Sequence, residues 1–122
     1  MKREIGDYIE DIINTIDKAM NFIKDISYEE FTQDDKTVFA VVRALEIIGE
    51  ATKNVPDEIR KKYSEVPWKD IAGMRDKVIH EYFGVKLMIV WKTVKERIPS
   101  LKPIFERILK ELEDEDKKYF EA

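Results

Sequence analysis

The chain has 122 residues, 43% of them hydrophobic, which suits one domain with a modest buried core and excludes wholesale disorder. With no cysteine and a single histidine, it has no disulfide or thiol nucleophile, and a dedicated zinc or copper site is not expected. The N-terminus lacks the apolar core of a signal peptide, and no apolar run approaches the roughly 18 residues that span a membrane. We therefore predict a cytoplasmic single domain over residues 1–122, without membrane contact, cofactor or metal.

Helical periodicity dominates the sequence, which has only four glycines and four prolines. Apolar side chains recur at spacings of three and four in two long stretches. Ser27 with Glu30 has the capping-box pattern, and Pro99 is expected to break the helix that precedes it. We predict helices over residues 3–25, 27–32, 34–53, 56–63, 67–84, 85–98 and 100–112, followed by a frayed charged tail over about 113–122. The expected fold class is all-α, a compact bundle of four to five main helices.

Two features of the predicted helix 34–53 leave alternatives open. Gly49 lies inside it, at a cost of roughly 1 kcal/mol relative to alanine, so either a neighbour approaches closely there or the glycine is simply tolerated. Glu46 and Glu50 stand one turn apart and repel each other. This predicts a cationic partner for one of them, unless the pair is an exposed feature without a role.

Charge is unevenly distributed along this acidic chain, whose net charge is −4. Residues 1–59 hold 7 Lys and Arg against 14 Asp and Glu, residues 60–110 hold 13 against 6, and residues 111–122 hold 2 against 6. A phosphate backbone would be steered to the basic middle segment. The alternative is that these charges only solvate the outer faces of helices.

The segment from Gly73 to Gly84 contains the sole histidine, His80, with Arg75 before it and Tyr82 after it. At about 100° per residue on a helix, Tyr82 shares a stripe with Arg75, whereas His80 lies about 140° away. Asp76 is one turn before His80 and can reach it. Arg75 and His80 would converge more easily if two copies of the helix met across a two-fold axis.

An arginine and a histidine together suit phosphodiester chemistry. His80 can take a proton from a ribose 2′-hydroxyl or give one to the leaving oxygen, and Arg75 can hold phosphate oxygens. Asp76 can orient the imidazole, and Tyr82 can bind substrate or accept a modification. The structural alternative makes His80 a helix-end histidine, Arg75 a surface ion-pair partner and Tyr82 a core residue.

The spacing Arg75, four residues, His80, one residue, Tyr82 resembles the motif of the HEPN superfamily, and specifically of HepT-like toxins. The resemblance covers essentially the whole chain. Further stretches that carry it are residues 44–51, 66–68, 80–85 and 90–91, which read ALEIIGEA, VPW, HEYFGV and VW. Lys86 departs from the pattern, since relatives often have an acidic residue there; it is expected to weaken the cap of the following helix.

The resemblance implies a homodimeric helical bundle with a metal-independent endoribonuclease site at the dyad. In these terms Arg75 and His80 are catalytic, Asp76 is supporting, and RNA is the substrate. It also implies an antitoxin partner, an MntA-like minimal nucleotidyltransferase, which silences the toxin by transferring AMP to Tyr82. Such a modification would place a bulky anion on the stripe of Arg75.

Two other functions compete with the ribonuclease interpretation. The chain can be a non-catalytic binding subunit of a minimal nucleotidyltransferase, although a pure adaptor has no need of both Arg75 and His80. It can also be a purely structural helical dimer. In that case neither residue would matter and no partner would be needed.

Overall fold

The computed structural model describes residues 4–74 and 86–121, with side chains given as far as residue 116. Its described part is helical and contains no strand, which confirms the all-α fold class. The helices are α1 (Ile5–Phe22), α2 (Tyr28–Gln33), α3 (Asp35–Lys53), α4 (Asp57–Lys62), α5 (Trp68–Ala72), α6 (Leu87–Lys92) and α7 (Ile98–Glu121), with a π-helical turn (Thr93–Arg97) between the last two.

Helix α1 packs against α3 and α7, and these three helices supply most of the core. In α1 the buried aliphatic residues recur at helical spacing, and the same is true of α3. They are Ile9, Ile12, Ile13, Ile16 and Ala19 in α1, and Val38, Val41, Val42, Leu45 and Ile48 in α3. Each such side chain larger than alanine contributes about 1.5–3 kcal/mol when buried. The periodicity therefore predicted the inward faces of both helices correctly.

Side-chain caps fix where α2 and α3 begin. The Ser27 hydroxyl accepts from the Glu30 N–H at 3.1 Å, and the Glu30 carboxylate accepts from the Ser27 N–H at 3.1 Å, which confirms the capping box. Asp34 caps α3 by accepting from the N–H and the hydroxyl of Thr37, and these bonds lower the pKa of Asp34. Between α1 and α2, Asp25 takes a left-handed conformation with φ 63°, which turns the chain.

We predicted that Pro99 breaks the helix that precedes it. That prediction is wrong, because the chain stays helical through this residue. The π turn comes just before this proline, with the Ile98 N–H bonded to the Thr93 carbonyl five residues back. A π turn widens the helix locally, which makes room for a ring that would otherwise clash with the preceding turn. Helix α7 then continues through Pro103.

The last helix also extends past Leu112, where we expected it to end, and reaches Glu121. Two contacts join the C-terminal half of α7 to α4 and the residue after it. The Tyr63 hydroxyl donates to the Glu111 carboxylate, and the Lys62 ammonium lies 3.2 Å from the Glu115 carboxylate. Sequence periodicity did not register these contacts because they link residues about 50 positions apart.

Only the first part of the helix predicted over residues 67–84 is described. This part is α5, which ends at Ala72. Gly73 forms a turn, with its N–H bonded to the Lys69 carbonyl at 2.9 Å, and Met74 is helical again. Residues 75–85 lie outside the described part of the chain, so the remainder of that predicted helix stays a prediction. In the described ranges, no helix has the length and apolarity needed to cross a membrane.

Candidate functional site

The four predicted site residues, Arg75, Asp76, His80 and Tyr82, all lie outside the described residues. Their mutual geometry stays a prediction. The structure does describe both ends of the segment that carries them, namely α5 with Gly73 and Met74 on one side and Lys86 with α6 on the other.

The upstream end is fixed by Trp68, the first residue of α5. Its indole N–H donates to the Tyr63 carbonyl at 3.0 Å, and its ring packs edge-on against Phe105 of α7 with centroids 5.7 Å apart. Ile71, one turn later, is fully buried. These contacts hold α5, from which the chain enters the motif segment, against the core.

The downstream end is fixed by Trp91 of α6. Its ring contacts Phe31 and Tyr28 of α2, with centroid distances of 5.2 and 5.9 Å. The Lys95 ammonium lies 5.3 Å from the centre of the Trp91 ring, within reach of a cation–π interaction. Helix α6 is therefore held to α2 by an aromatic cluster at the point where the chain leaves the motif.

Lys86 is the N-cap residue of α6, and its side chain makes no capping hydrogen bond. Its carbonyl still accepts from the N–H groups of Ile89 and Val90, at 3.0 and 3.2 Å. An acidic residue here could cap the helix and favour its dipole, which lysine cannot. The expected weak cap at Lys86 is confirmed.

A salt bridge joins the two sides of the segment. The guanidinium of Arg97, in the π turn, lies 3.2 Å from the carboxylate of Asp70 in α5. Both side chains are more than half exposed, so the pair contributes less than about 1 kcal/mol to stability. Its value is positional, because it ties α5 to the helical segment that follows the motif.

The acidic pair on α3 has the cationic partner that its spacing predicted. Arg43 lies 3.1 Å from the carboxylate of Glu46, one turn away on the same helix. Gly49, between Glu46 and Glu50, is buried.

Among the described residues no group of three or more His, Cys, Asp or Glu side chains is arranged to hold a metal ion.

Sequence inspection missed an open groove of about 430 Å³ beside α5. We call it the α4–α5 groove. Its lining residues are Asp57, Arg60, Lys61, Ser64, Pro67, Trp68, Lys69 and Asp70. The available signal was the run Arg60-Lys61-Lys62 at the start of the basic segment, which by itself resembles an ordinary solvated helix face.

Comparison with known proteins identifies the class to which this helical bundle belongs. The family model described as "Ribonuclease HepT-like" matches residues 12–108, a range that includes the whole motif segment. The chain belongs to the HepT-like ribonuclease family of the HEPN superfamily.

Individual relatives are similar over nearly their full lengths. The chain is 54% identical to "Probable ribonuclease HepT" of Thermococcus cleftensis, with 90% of this chain and 100% of the relative covered. It is 50% identical to "Putative RNase MJ0125" of Methanocaldococcus jannaschii, with 93% and 97% covered. No solved structure matches the chain significantly.

Proposed function

We propose that this protein is an endoribonuclease that cleaves RNA without a metal ion, through Arg75 and His80. The observation that carries the proposal is the family match, because it spans residues 12–108 and includes both residues. The two relatives reported above, both named as ribonucleases, match 90% and 93% of this chain, so the likeness is not confined to a short motif.

The proposed reaction is attack by a ribose 2′-oxygen on the adjacent phosphorus. His80 takes the 2′-hydroxyl proton, the new phosphorus–oxygen bond forms, and the bond to the 5′-oxygen breaks. A proton goes to that leaving oxygen, which gives a 2′,3′-cyclic phosphate and a 5′-hydroxyl end. Solvent water can supply this proton, and His80 then releases the proton it took, so each site needs one Arg75 and one His80.

Arg75 has the electrostatic role in this proposal. Its guanidinium can hold two phosphate oxygens and stabilise the charge that grows on them in the transition state. Asp76, one helical turn before His80, orients the imidazole and stabilises its protonated form.

The site is proposed to form between two copies of the chain, because Arg75 and His80 diverge on one straight helix. The outer face of α6 supports an interface next to the motif. Met88 and Ile89 on this face are 43% and 45% exposed, and such adjacent apolar side chains commonly mark contact surfaces.

The biological role proposed is that of a toxin paired with a nucleotidyltransferase antitoxin. Transfer of AMP to Tyr82 would add a phosphate on the Arg75 stripe, occupy the arginine and fill the cleft. An intact-mass measurement on protein co-expressed with such a partner should show additions of AMP units, and Tyr82→Phe should abolish them.

The central test compares the purified chain with Arg75→Ala and His80→Ala on a mixed RNA panel in the presence of a chelator. Each substitution should reduce cleavage at least 100-fold while circular dichroism and dimer mass stay unchanged. Lys36→Ala, an exposed change on α3, is the control and should cleave as the wild type does.

A complementation experiment tests whether the site is shared between copies. Mixed and re-equilibrated, the inactive Arg75→Ala and His80→Ala dimers should recover about a quarter of wild-type cleavage, because half the dimers are mixed and one of their two sites is intact. Full cleavage by folded His80→Ala would refute the catalytic assignment. If AMP-free wild type leaves every RNA uncut, the alternative of a non-catalytic subunit gains instead.

A further inference from the structure

We propose that the α4–α5 groove holds the phosphate backbone of single-stranded RNA on its way to the motif segment, with Arg60, Lys61 and Lys69 as its phosphate contacts. The inference rests on the proposed ribonuclease function and adds where the substrate lies beyond the reacting bond. Helix α5 lines the groove as far as Asp70. Arg75 follows five residues after Asp70, and five residues of chain span at most about 18 Å.

Arg60 is a cation already held in place. Its Nε–H donates to the Val55 carbonyl at 3.0 Å and an Nη2–H donates to the Thr52 carbonyl at 2.8 Å. Both acceptors are neutral, so these bonds fix the guanidinium without cancelling its charge. They use two of its five N–H donors, which leaves three that can bind phosphate oxygens at little cost in side-chain entropy.

Lys61 and Lys69 are exposed on the groove and make no ion pair with any residue between 4 and 74 or between 86 and 116. Several other cations of the basic segment are neutralised. These are Lys62 with Glu115, Arg97 with Asp70, Lys102 with Asp17, and Arg107 with Glu65. Positive charge within the basic segment is thus left uncompensated at this groove.

The two carboxylates of the groove do not cancel its cations. Asp70 is paired with Arg97. Asp57 is in the first turn of α4, where the helix dipole stabilises its charge. With Arg97 counted as the partner of Asp70, four cations stand against two carboxylates here, on a protein whose net charge is −4. An RNA strand would therefore be attracted here and repelled by the acidic remainder of the surface.

The test measures binding separately from cleavage. A fluorescent 2′-O-methyl oligonucleotide of about 12 nucleotides has no 2′-hydroxyl to attack, and its anisotropy reports the Kd at several salt concentrations. The test variant is Lys61→Gln with Lys69→Gln. The matched control is Lys36→Gln with Lys110→Gln, which removes the same charge from exposed positions outside the groove.

Loss of two phosphate contacts should make the negative slope of log affinity against log salt less steep by about 1.4. It should also weaken binding in 0.1 M salt about 20-fold. The control should stay within about twofold of wild type. Unchanged binding in the groove variant, or an equal loss in both variants, would overturn the proposal. Arg60 is kept in both, because replacing it would also release the Thr52 and Val55 carbonyls.

The two proposals can fail independently. If the wild type binds the oligonucleotide through the groove but cleaves no RNA, the ribonuclease function fails and the groove assignment stands. If the wild type cleaves RNA and the groove variant binds normally, only the groove assignment fails.

Discussion

Helix α3 begins at its own cap, whereas the helical segment over residues 87–121 passes two prolines without ending. Asp34 starts α3 by accepting from the Thr37 N–H at 3.1 Å. In the C-terminal segment, Pro99 and Pro103 remove two backbone donors, yet the chain stays helical through Glu121. The difference shows that local signals decide a helix boundary only where the core does not oppose them.

The core stripe of the C-terminal segment explains why it continues. Its buried residues recur every three or four positions and pass both prolines without interruption. They are Val90, Val94, Ile98, Leu101, Phe105 and Ile108. Burial of each contributes about 1.5–3 kcal/mol, so the stripe outweighs a cost of roughly 3 kcal/mol for an interior proline.

The largest effect is expected at Phe105, which is fully buried in this stripe and packs against Trp68. Phe105→Ala should lower the free energy of unfolding by about 3–5 kcal/mol, because it removes a large ring and leaves a cavity. Urea unfolding followed by circular dichroism measures the change. Phe22→Ala, which alters a ring 41% exposed, should cost less than about 1 kcal/mol. Similar losses at both positions would show that the stripe does not dominate.

Pro103→Ala tests whether α7 is continuous. Inside a continuous helix, alanine restores a bond from its N–H to the Pro99 carbonyl and should raise the free energy of unfolding by about 1–2 kcal/mol. If a new helix instead began near Ser100, proline would sit in its first turn and the change would be neutral or slightly harmful. Pro67→Ala, at the N-cap of α5, is the control and should not stabilise.

The sequence was sufficient for the part of the fold in which local signals agree with the core. The cap at Ser27 and the inward faces of α1 and α3 were predicted correctly, and the start of α3 was predicted to within one residue. The path through Pro99 was not, because a proline usually ends a helix, and only the folded core shows that the apolar stripes on its two sides are continuous. The end of α5 at Ala72 was also missed, since Gly73 within a helical pattern does not by itself specify a turn.

The candidate site also has a part that the sequence predicts and a part that it does not. Arg75 and His80 were found from their spacing and the family likeness, and their geometry stays a prediction. The α4–α5 groove could not be found, because it depends on which cations are left unpaired after folding. Lys62 is paired with Glu115 whereas its neighbour Lys61 has no ion pair within the described part of the chain, and no local pattern separates them.

The smallest effect tests what holds the C-terminal half of α7. Tyr63 is buried, and its hydroxyl donates to Glu111. Tyr63→Phe should cost about 1 kcal/mol, since Glu111 is half-buried and water can replace part of the lost bond. Tyr28→Phe, which keeps its ring contact with Trp91, is the matched control and should be nearly neutral.

The contribution of the Tyr63 hydroxyl to the free energy of unfolding should also depend on pH, and it should fall as the pH rises. Burial, reinforced by the hydrogen bond to Glu111, raises the pKa of Tyr63 from 10.0 to about 12. A raised pKa means that the folded state holds the proton more tightly, so the stabilisation is complete below pH 10 and is lost between pH 10 and about 12. The difference in unfolding free energy between wild type and Tyr63→Phe should therefore shrink over this range. A constant or widening difference would mean that the Tyr63 hydroxyl does not hold α7 to the end of α4.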